Sequence, residues 1–452
     1  MLQRFYISLA RLIANTFFRH IEVSGLENVP RTGPVIFAGN HPNALMDGWL
    51  LVAKCGRWPL FFLANAKLWN YRLLAPILNA TGAIPVYRRE EHPSGVDNTH
   101  AFDRLYELIE SGECVGIFPE GISHVESQLV KLKTGTARIA LTIADRGSVN
   151  APIVPCGLSY IHRHRFRSQV LLQFGEPMTM DDARLYKFHK DEKATVVSLT
   201  TELAQALQAL TVNAPDWRTL QIVQTVRRLY KPGAAELTPA QYVELNRRFV
   251  NQYLKERNEP AVQTLTADVE NYQARLDMFG LKDHQLRQPV TISRAIRRII
   301  LRSIVMLALL PFAIPGALLH LPIGWIAATV GERFSYEMDD IATLKVFSTI
   351  LLLPLLYLAV ALAVGLWLGF WWGVALFIVL PFSFLASVRV IEAEVGLLLS
   401  MYSLLRLTRL GREIEDLRTI RVDLVRRIRD RVERHSDPDT QRIFTNEDFA
   451  SR

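Results

Sequence analysis

The sequence predicts an α/β domain followed by a helical segment and an α-helical membrane region, and three observations carry that reading. From about residue 21 to 180, short β-rich runs alternate with helical ones, the pattern of a sheet with helices packed on it. Residues 303–331 contain no acid, Lys or Arg, and neither do residues 346–388; the second run is about twice the ~20 residues that one crossing needs. Half of the 452 residues are hydrophobic and yet 21% are charged, which suits a chain lying partly in lipid and partly in water.

Residues 1–20 read as an amphipathic helix. Arg4, Ser8, Arg11, Asn15 and Arg19 share one face, while Phe5, Leu9, Leu12, Ile13 and Phe17 lie largely opposite. Such a helix either caps the domain core or rests in the membrane interface with its arginines toward headgroups. It does not read as a signal peptide, because Arg4, Arg11 and Arg19 interrupt any apolar core and no small-residue cleavage site follows. Within the α/β domain, 21–180, strands are expected at 34–38, 82–87, 114–118, 152–157 and 169–174, and helices near 43–55, 97–111 and 134–146. Residues 181–290 look mostly helical, with loop breaks at Asn213-Ala214-Pro215, Lys231-Pro232-Gly233 and Asn258-Glu259-Pro260.

The membrane region, 291–390, opens on Arg294, Arg297, Arg298 and Arg302. Pro311, Pro315, Gly316 and Pro322 predict a bent or re-entrant hairpin over 303–331, and 346–388 reads as two helices turning near Gly365 to Gly373. Trp325, Trp367, Trp371 and Trp372 suit the membrane–water boundary. Beyond Arg389 the tail, 391–452, is strongly basic through Arg406, Arg409, Arg412, Arg418, Arg421, Arg426, Arg427, Arg429, Arg431 and Arg434. The positive-inside rule then places both flanks in the cytoplasm and requires an even number of crossings. The tail itself is expected to be a solvated helix of mixed charge.

A formal charge of +8 and an isoelectric point near 9.4 favour anionic partners. The basic and aromatic interleaving of a nucleic-acid module is missing, so phospholipid surfaces and phosphorylated metabolites come first. Cys55, Cys114 and Cys156 are far apart and odd in number, which suggests a reducing compartment with no disulfide framework and no zinc spacing.

The chemistry centres on residues 35–48, Val-Ile-Phe-Ala-Gly-Asn-His-Pro-Asn-Ala-Leu-Met-Asp-Gly. A short buried strand delivers Asn40 and His41 to a helix whose first position suits Pro42, so His41 is expected at or beside the N-cap. Helical side chains lean toward the N-terminus, so Asp47 can reach back to His41. The positive end of a helix favours an uncharged imidazole able to take a proton, and a carboxylate fixes the tautomer. No Gly-x-Ser-x-Gly elbow or cysteine signature supplies a nucleophile. The pair is therefore expected to act as a general base on a substrate hydroxyl. Three further blocks lie in the same domain: Gly82-Ala-Ile-Pro-Val-Tyr-Arg-Arg89, Phe118-Pro-Glu-Gly-Ile-Ser-His124 with Leu129, Leu132, Lys133, Gly135 and Ala137 after it, and Pro152-Ile-Val-Pro-Cys-Gly157.

These four blocks, in this order, resemble the glycerolipid acyltransferase family over roughly residues 30–175. The resemblance implies a mixed sheet flanked by helices, a catalytic His41–Asp47 block, a strand-end Arg and a Phe-Pro-Glu-Gly block that hold the acyl acceptor and its phosphate, and a Pro-containing strand bordering the donor site. Five residues separate His41 and Asp47 where most members have four, and the Arg that often follows Phe-Pro-Glu-Gly is missing. Both departures resemble the branch of fungal glycerol-3-phosphate and dihydroxyacetone-phosphate acyltransferases. That branch also carries a C-terminal membrane region with a motif similar to Asp340-Ile341-Ala342-Thr343-Leu344-Lys345.

The residues fit that chemistry on their own terms. A thioester is already activated, so a base suffices and no covalent enzyme intermediate, metal or cofactor is called for. Acceptor phosphate needs cations, Arg88 foremost and Arg89 second. Glu120 is assigned to acceptor hydroxyls or to orienting Arg88, and Gly121 lets backbone N–H groups approach the ligand. Lys131 and Lys133 would add positive potential, His124 could replace the missing Arg at the phosphate, and Asn40 and Ser123 complete the expected acceptor site. The remaining histidines, including His100 and the His162 and His164 pair, are left as ordinary surface or core residues. The expected partners are a bilayer, acyl-CoA or acyl carrier protein as donor, and a phosphorylated glycerol as acceptor. The whole would be an integral membrane protein with its catalytic domain on the cytoplasmic face. Three alternatives stay open: a lysophospholipid as acceptor, a non-catalytic lipid-binding protein on the same fold, and a transporter. Against the last, the apolar stretches hold no acid, Lys or Arg to mark a path.

Overall fold

A computed structural model describes residues 2–72, 74–88, 97–147, 149–232, 236–287, 292–335, 337–388, 411–435 and 443–444. The chain forms two compact units. The first comprises Met1–Trp217, Leu237–Arg247 and Ser335–Thr343; the second comprises Arg218–Glu236, Arg248–Phe334 and Leu344–Arg452.

The first unit is an α/β domain. In chain order it contains α1 (Leu2–Phe17), β1 (Phe18–Ser24), β2 (Ile36–Gly39), α2 (Ala44–Lys54), β3 (Leu60–Asn65), α3 (Ala75–Thr81) and β4 (Ile84–Val86). There follow α4 (Thr99–Glu110), β5 (Cys114–Ile117), α5 (Gly135–Asp145), β6 (Ile153–Tyr160), β7 (Ser168–Phe174), α6 (Asp182–Lys190) and α7 (Glu192–Leu210). The sheet runs β1-β7-β6-β2-β5-β3-β4 and is mixed: β6 and β7 pair antiparallel, every other neighbouring pair parallel. β2 lies at its centre, and Val35 to Ala38 are completely buried, as a strand covered on both faces requires. Leu105, Ile109, Ile139, Leu141 and Ile143 from α4 and α5 fill the core on it.

Two strands are additional to those expected. β1 follows α1 without an intervening turn, and β3 fills the place between β5 and β4. In α1 the buried face is Ile7, Ala10, Ile13, Ala14 and Phe17, whereas Phe5 and Leu12 point outward. The helix therefore caps the core, but with a face rotated from the one its arginines suggest.

The second unit is helical: α8 (Trp217–Tyr230), α9 (Pro239–Glu256), α10 (Pro260–Met278), α11 (Asp283–Leu286), α12 (Ile292–Phe334), α13 (Ile341–Leu368), α14 (Phe370–Val388) and α15 (Gly411–His435), of which α8, α9 and α13 begin in the first. α13 and α14 are each long and apolar enough to cross a membrane, and they turn at Gly369, whose φ of 109° suits glycine. The hairpin expected over 303–331 is not formed: α12 runs as one helix through Pro311, Pro315 and Pro322. Proline is tolerated in such helices where neighbours take up the freed backbone groups. Close neighbours exist here, because a Cβ on Gly316 would meet Ser387 Oγ of α14 at 2.3 Å, and His320 Nε2 lies 2.9 Å from the Tyr357 hydroxyl of α13.

The tail is also not simply solvated. Ile414, Leu417, Leu424 and Ile428 of α15 pack into a cluster with Tyr272 and Leu276 of α10. Its arginines pair with acids: Arg421 with Asp283 at 2.8 Å, Arg427 with Asp268 at 2.6 Å and Arg431 with Glu256 at 2.8 Å. Arg389, Arg406 and Arg409 lie outside the described residues.

Candidate active site

The site forms at the carboxyl ends of the parallel strands, where an open α/β sheet leaves room for ligands. β2 ends at Gly39, and the chain leaves it through Asn40 and His41. α2 starts later than expected, at Ala44 with Asn43 at the cap position, so Pro42 precedes the helix and His41 stands in the turn before it. His41 Nδ1 lies 2.8 Å from Asp47 Oδ2, and the same oxygen accepts the Asn43 N–H at 2.8 Å. Oδ1 accepts the Tyr160 hydroxyl at 2.5 Å.

Asp47 is completely buried. Burial pushes its carboxyl above the usual range, and the bonds from His41, Tyr160 and Asn43 pull the other way. Burial pushes the Tyr160 phenol well up, and the neighbouring Asp47 adds to the shift, so this hydroxyl stays a donor. With Nδ1–H given to Asp47, the imidazole presents Nε2 as its basic nitrogen. The ring is further fixed by stacking on Phe118, 4.0 Å between centroids and 6° from parallel.

Glu120 follows β5 and ties the next strand end to this one. Its Oε2 accepts the His41 N–H at 2.7 Å, while His124 N–H donates to the His41 carbonyl at 3.1 Å. His124 Nε2 lies 2.9 Å from Glu120 Oε1, close but off the line of a good hydrogen bond. That carboxylate raises the His124 pKa against an opposing burial effect. His124 Nδ1 accepts the Glu126 N–H at 3.2 Å, which leaves the proton on Nε2 facing Glu120. Both nitrogens are thus engaged within the protein. Gly121 turns the chain with a φ of 78°, and Lys133, exposed, runs beside it while its N–H donates to the Pro119 carbonyl at 2.7 Å. Lys131 is also exposed.

Other expected residues are placed differently. The Asn40 amide clamps β6: Oδ1 accepts the Leu158 N–H at 2.7 Å and Nδ2 donates to the Leu158 carbonyl at 3.0 Å, so it joins strands instead of facing a ligand. Ser123 donates its hydroxyl to Asp339, from the segment Ser335–Thr343. Arg88 follows β4, the edge strand, at the same end of the sheet as His41. Three strand spacings separate β4 from β2, about 14 Å. Arg89 lies outside the described residues.

Four residues near the dyad were not expected there, and of these only Asp340 stands out in the sequence, as the start of the C-terminal motif. Tyr160 comes from the end of β6, 113 residues from Asp47. Arg163 is half-buried, and Asn43 Nδ2 donates to its carbonyl at 3.1 Å. Asp339 is 1% exposed. Asp340 has its carboxyl pushed up by burial and by Asp339 and Glu337, with the His41 imidazole acting on it in the opposite sense. Only the folded chain brings these four to the site.

A histidine oriented by a buried carboxylate thus stands at the open end of a mixed α/β sheet, beside a Phe-Pro-Glu-Gly turn, an arrangement able to take a proton from a hydroxyl. Residues 20–159 match the acyltransferase family model, and residues 222–440 match that of the glycerol-3-phosphate acyltransferase 2 C-terminal domain. Glycerol-3-phosphate O-acyltransferases 2 and 1 of Saccharomyces cerevisiae are each 34% identical, over 278 residues (58% of this chain) and 284 residues (59%) respectively. The match spans 37% of the length of each yeast protein. A 1-acyl-sn-glycerol-3-phosphate acyltransferase of Bacillus subtilis is 28% identical over 42% of this chain and 87% of its own. The crystal structure of the LPA acyltransferase of Thermotoga maritima, at 18% identity over 46% of this chain and 82% of that one, gives a TM-score of 0.32, too low for comparison element by element. The chain thus carries an acyltransferase domain over residues 20–159 and, over residues 222–440, a region similar to the glycerol-3-phosphate acyltransferase 2 C-terminal domain.

Proposed function

We propose that this chain transfers a fatty acyl group from an acyl thioester, acyl-CoA or acyl carrier protein, to a hydroxyl of glycerol-3-phosphate. The observation that carries the reading is the triply bonded Asp47, which fixes His41 with Nδ1 toward the carboxylate and Nε2 left to act. Nε2 takes the acceptor's hydroxyl proton as its oxygen attacks the thioester carbonyl. The tetrahedral intermediate collapses with loss of thiolate, and the imidazolium returns the proton to sulfur. Asp47 stabilises the imidazolium between these steps. Bringing both substrates to one strand end supplies much of the remaining rate. Arg88, Lys133 and Gly121 border the same end of the sheet, and we assign them to acceptor binding with Glu120 as the bridge to His41.

Two helices able to span a bilayer support an integral membrane protein. The arginines flanking the membrane region support a catalytic domain on the cytoplasmic face. The test is acyl transfer from radiolabelled palmitoyl-CoA to glycerol-3-phosphate by the purified chain in lipid. His41→Ala should abolish it, and undiminished transfer would remove the proposed base. The likeness to the Bacillus subtilis protein favours one second reading, a 1-acylglycerol-3-phosphate acceptor. Running both acceptors side by side separates the two.

A further inference from the structure

The dyad sits among carboxylates. Asp47, Glu120 and Asp339 are all at least 98% buried within this site, and Asp340 adds a fourth acid close enough to act on His41. A phosphorylated acceptor brings two further negative charges toward them. Without a cation at the dyad itself, that approach is repulsive. Arg88 leaves the sheet three strands from β2, and His124 already has Glu120 and the Glu126 N–H as partners for its two nitrogens.

One guanidinium is placed otherwise. Arg163 follows β6, three residues after Tyr160, and its backbone carbonyl is held by Asn43 at 3.1 Å. Asp47, Asp339 and Tyr160 all act on it electrostatically. Yet no carboxylate reaches it: among the described residues its one hydrogen bond runs from Nη1 to the His124 carbonyl at 3.4 Å. One face lies 5.9 Å from the Trp217 ring centre. Burial pulls its pKa down, the signature of a charge removed from water. A guanidinium has five N–H donors, and a partly buried cation with most of them unused is costly unless something anionic completes it.

We propose that Arg163 is the residue that receives the acceptor's phosphate at the dyad, taking the place of the Arg missing after Phe118-Pro119-Glu120-Gly121. The assignment rests on the acyl-transfer reading for the identity of the acceptor, but the anion site itself does not. A planar fork suits two phosphate oxygens at once. Its position beside the His124 carbonyl puts it next to the turn where that Arg would stand. Asp339 and Asp47 keep the guanidinium in place without occupying its donors.

The experiment uses the full chain in lipid nanodiscs. Arg163→Gln should raise the KM for glycerol-3-phosphate about 10- to 100-fold, the worth of a charge-assisted pair, with kcat changed by no more than about threefold. Arg163→Lys should recover part of the loss. In parallel, inorganic phosphate and glycerol-3-phosphate are titrated calorimetrically onto the inactive His41→Ala chain, with and without Arg163→Gln. Binding should weaken by the same factor, with melting temperatures of all variants within a few degrees of their parents. An unchanged KM, or a fall in kcat alone, or phosphate binding indifferent to Arg163 overturns the assignment even if acyl transfer is established. Phosphate binding that depends on Arg163 in a chain that acylates no glycerophosphate would uphold it while removing the acyl-transfer reading.

Discussion

Replacing Asp47 with Asn perturbs the dyad with almost no change of shape. The carboxylate takes three donors: His41 Nδ1–H and Asn43 N–H on Oδ2, and the Tyr160 hydroxyl on Oδ1. An amide offers one oxygen and an NH2, so at least one of these donors must face another donor. If the NH2 faces His41, the imidazole is forced into the tautomer protonated on Nε2, which cannot accept the hydroxyl proton. If the oxygen faces His41, the tautomer is kept but the charge that stabilises the imidazolium is lost. Two unit charges about 4 Å apart at an effective dielectric near 20 interact by about 4 kcal/mol, a factor of about 10³ in rate. The equivalent exchange in a serine-protease triad costs about 10⁴ in kcat, consistent with both faults acting together. We therefore expect kcat to fall about 10³-fold with both KM values within about threefold. The assay is palmitoyl transfer to glycerol-3-phosphate at saturating donor, with circular dichroism melts to show an intact fold. A variant retaining more than a tenth of the parent kcat would refute the carboxylate's part in the chemistry.

Removing only the Tyr160 hydroxyl, as Tyr160→Phe, strips Asp47 Oδ1 of its donor; kcat/KM should fall about 10-fold and stability by about 1–3 kcal/mol in denaturant titration. His124, whose pKa is raised chiefly by Glu120, contributes stability that is fully present below its ordinary pKa near 6.5 and lost as pH rises through the higher folded value. His124→Gln should accordingly lower the melting temperature at pH 5.5 and approach the parent at pH 9, and an equal deficit at both would contradict the ion pair. Gly157→Ala in β6 would drive a Cβ to 2.6 Å from Leu210 Cβ and 2.9 Å from its carbonyl oxygen; overpacking against backbone should cost about 1–3 kcal/mol in the same melts.

How much of this could be read from the chain alone follows from how far apart the interacting residues are. His41 and Asp47 are six positions apart, so one local block already holds both halves of the base. The expected helix start failed by two residues because Pro42 suits the first helical position but equally suits the turn ahead of it. Asn40 looked like a ligand residue because it adjoins His41. Its real partner, Leu158, is 118 residues away and is fixed by the register of β2 on β6, Gly39 opposite Cys156. Tyr160 and Arg163 reach the site through that same register, which no hydrophobic pattern specifies when a strand is buried on both faces. β1 was hidden because α1 passes into it with no turn residue between Phe17 and Phe18, and β3 because a short apolar run suits a buried helix equally well.

The second unit shows the same rule from the other side. Proline signals in 303–331 spoke for a break, since an isolated helix loses a hydrogen bond at each one. The helix persists where close packing of α14 at Gly316 and the His320–Tyr357 contact tie it to neighbours. In α15 the run of arginines read as solvated because the partners, Asp283, Asp268 and Glu256, lie 138 to 175 residues earlier. Arg421 and Asp283 are both mostly buried, so this pair differs from an exposed one: removing either member leaves a desolvated charge, whereas removing a partner of exposed Arg426 does not. Part of the net positive charge that favoured anionic partners is thus, at Arg421, Arg427 and Arg431, paired within the fold.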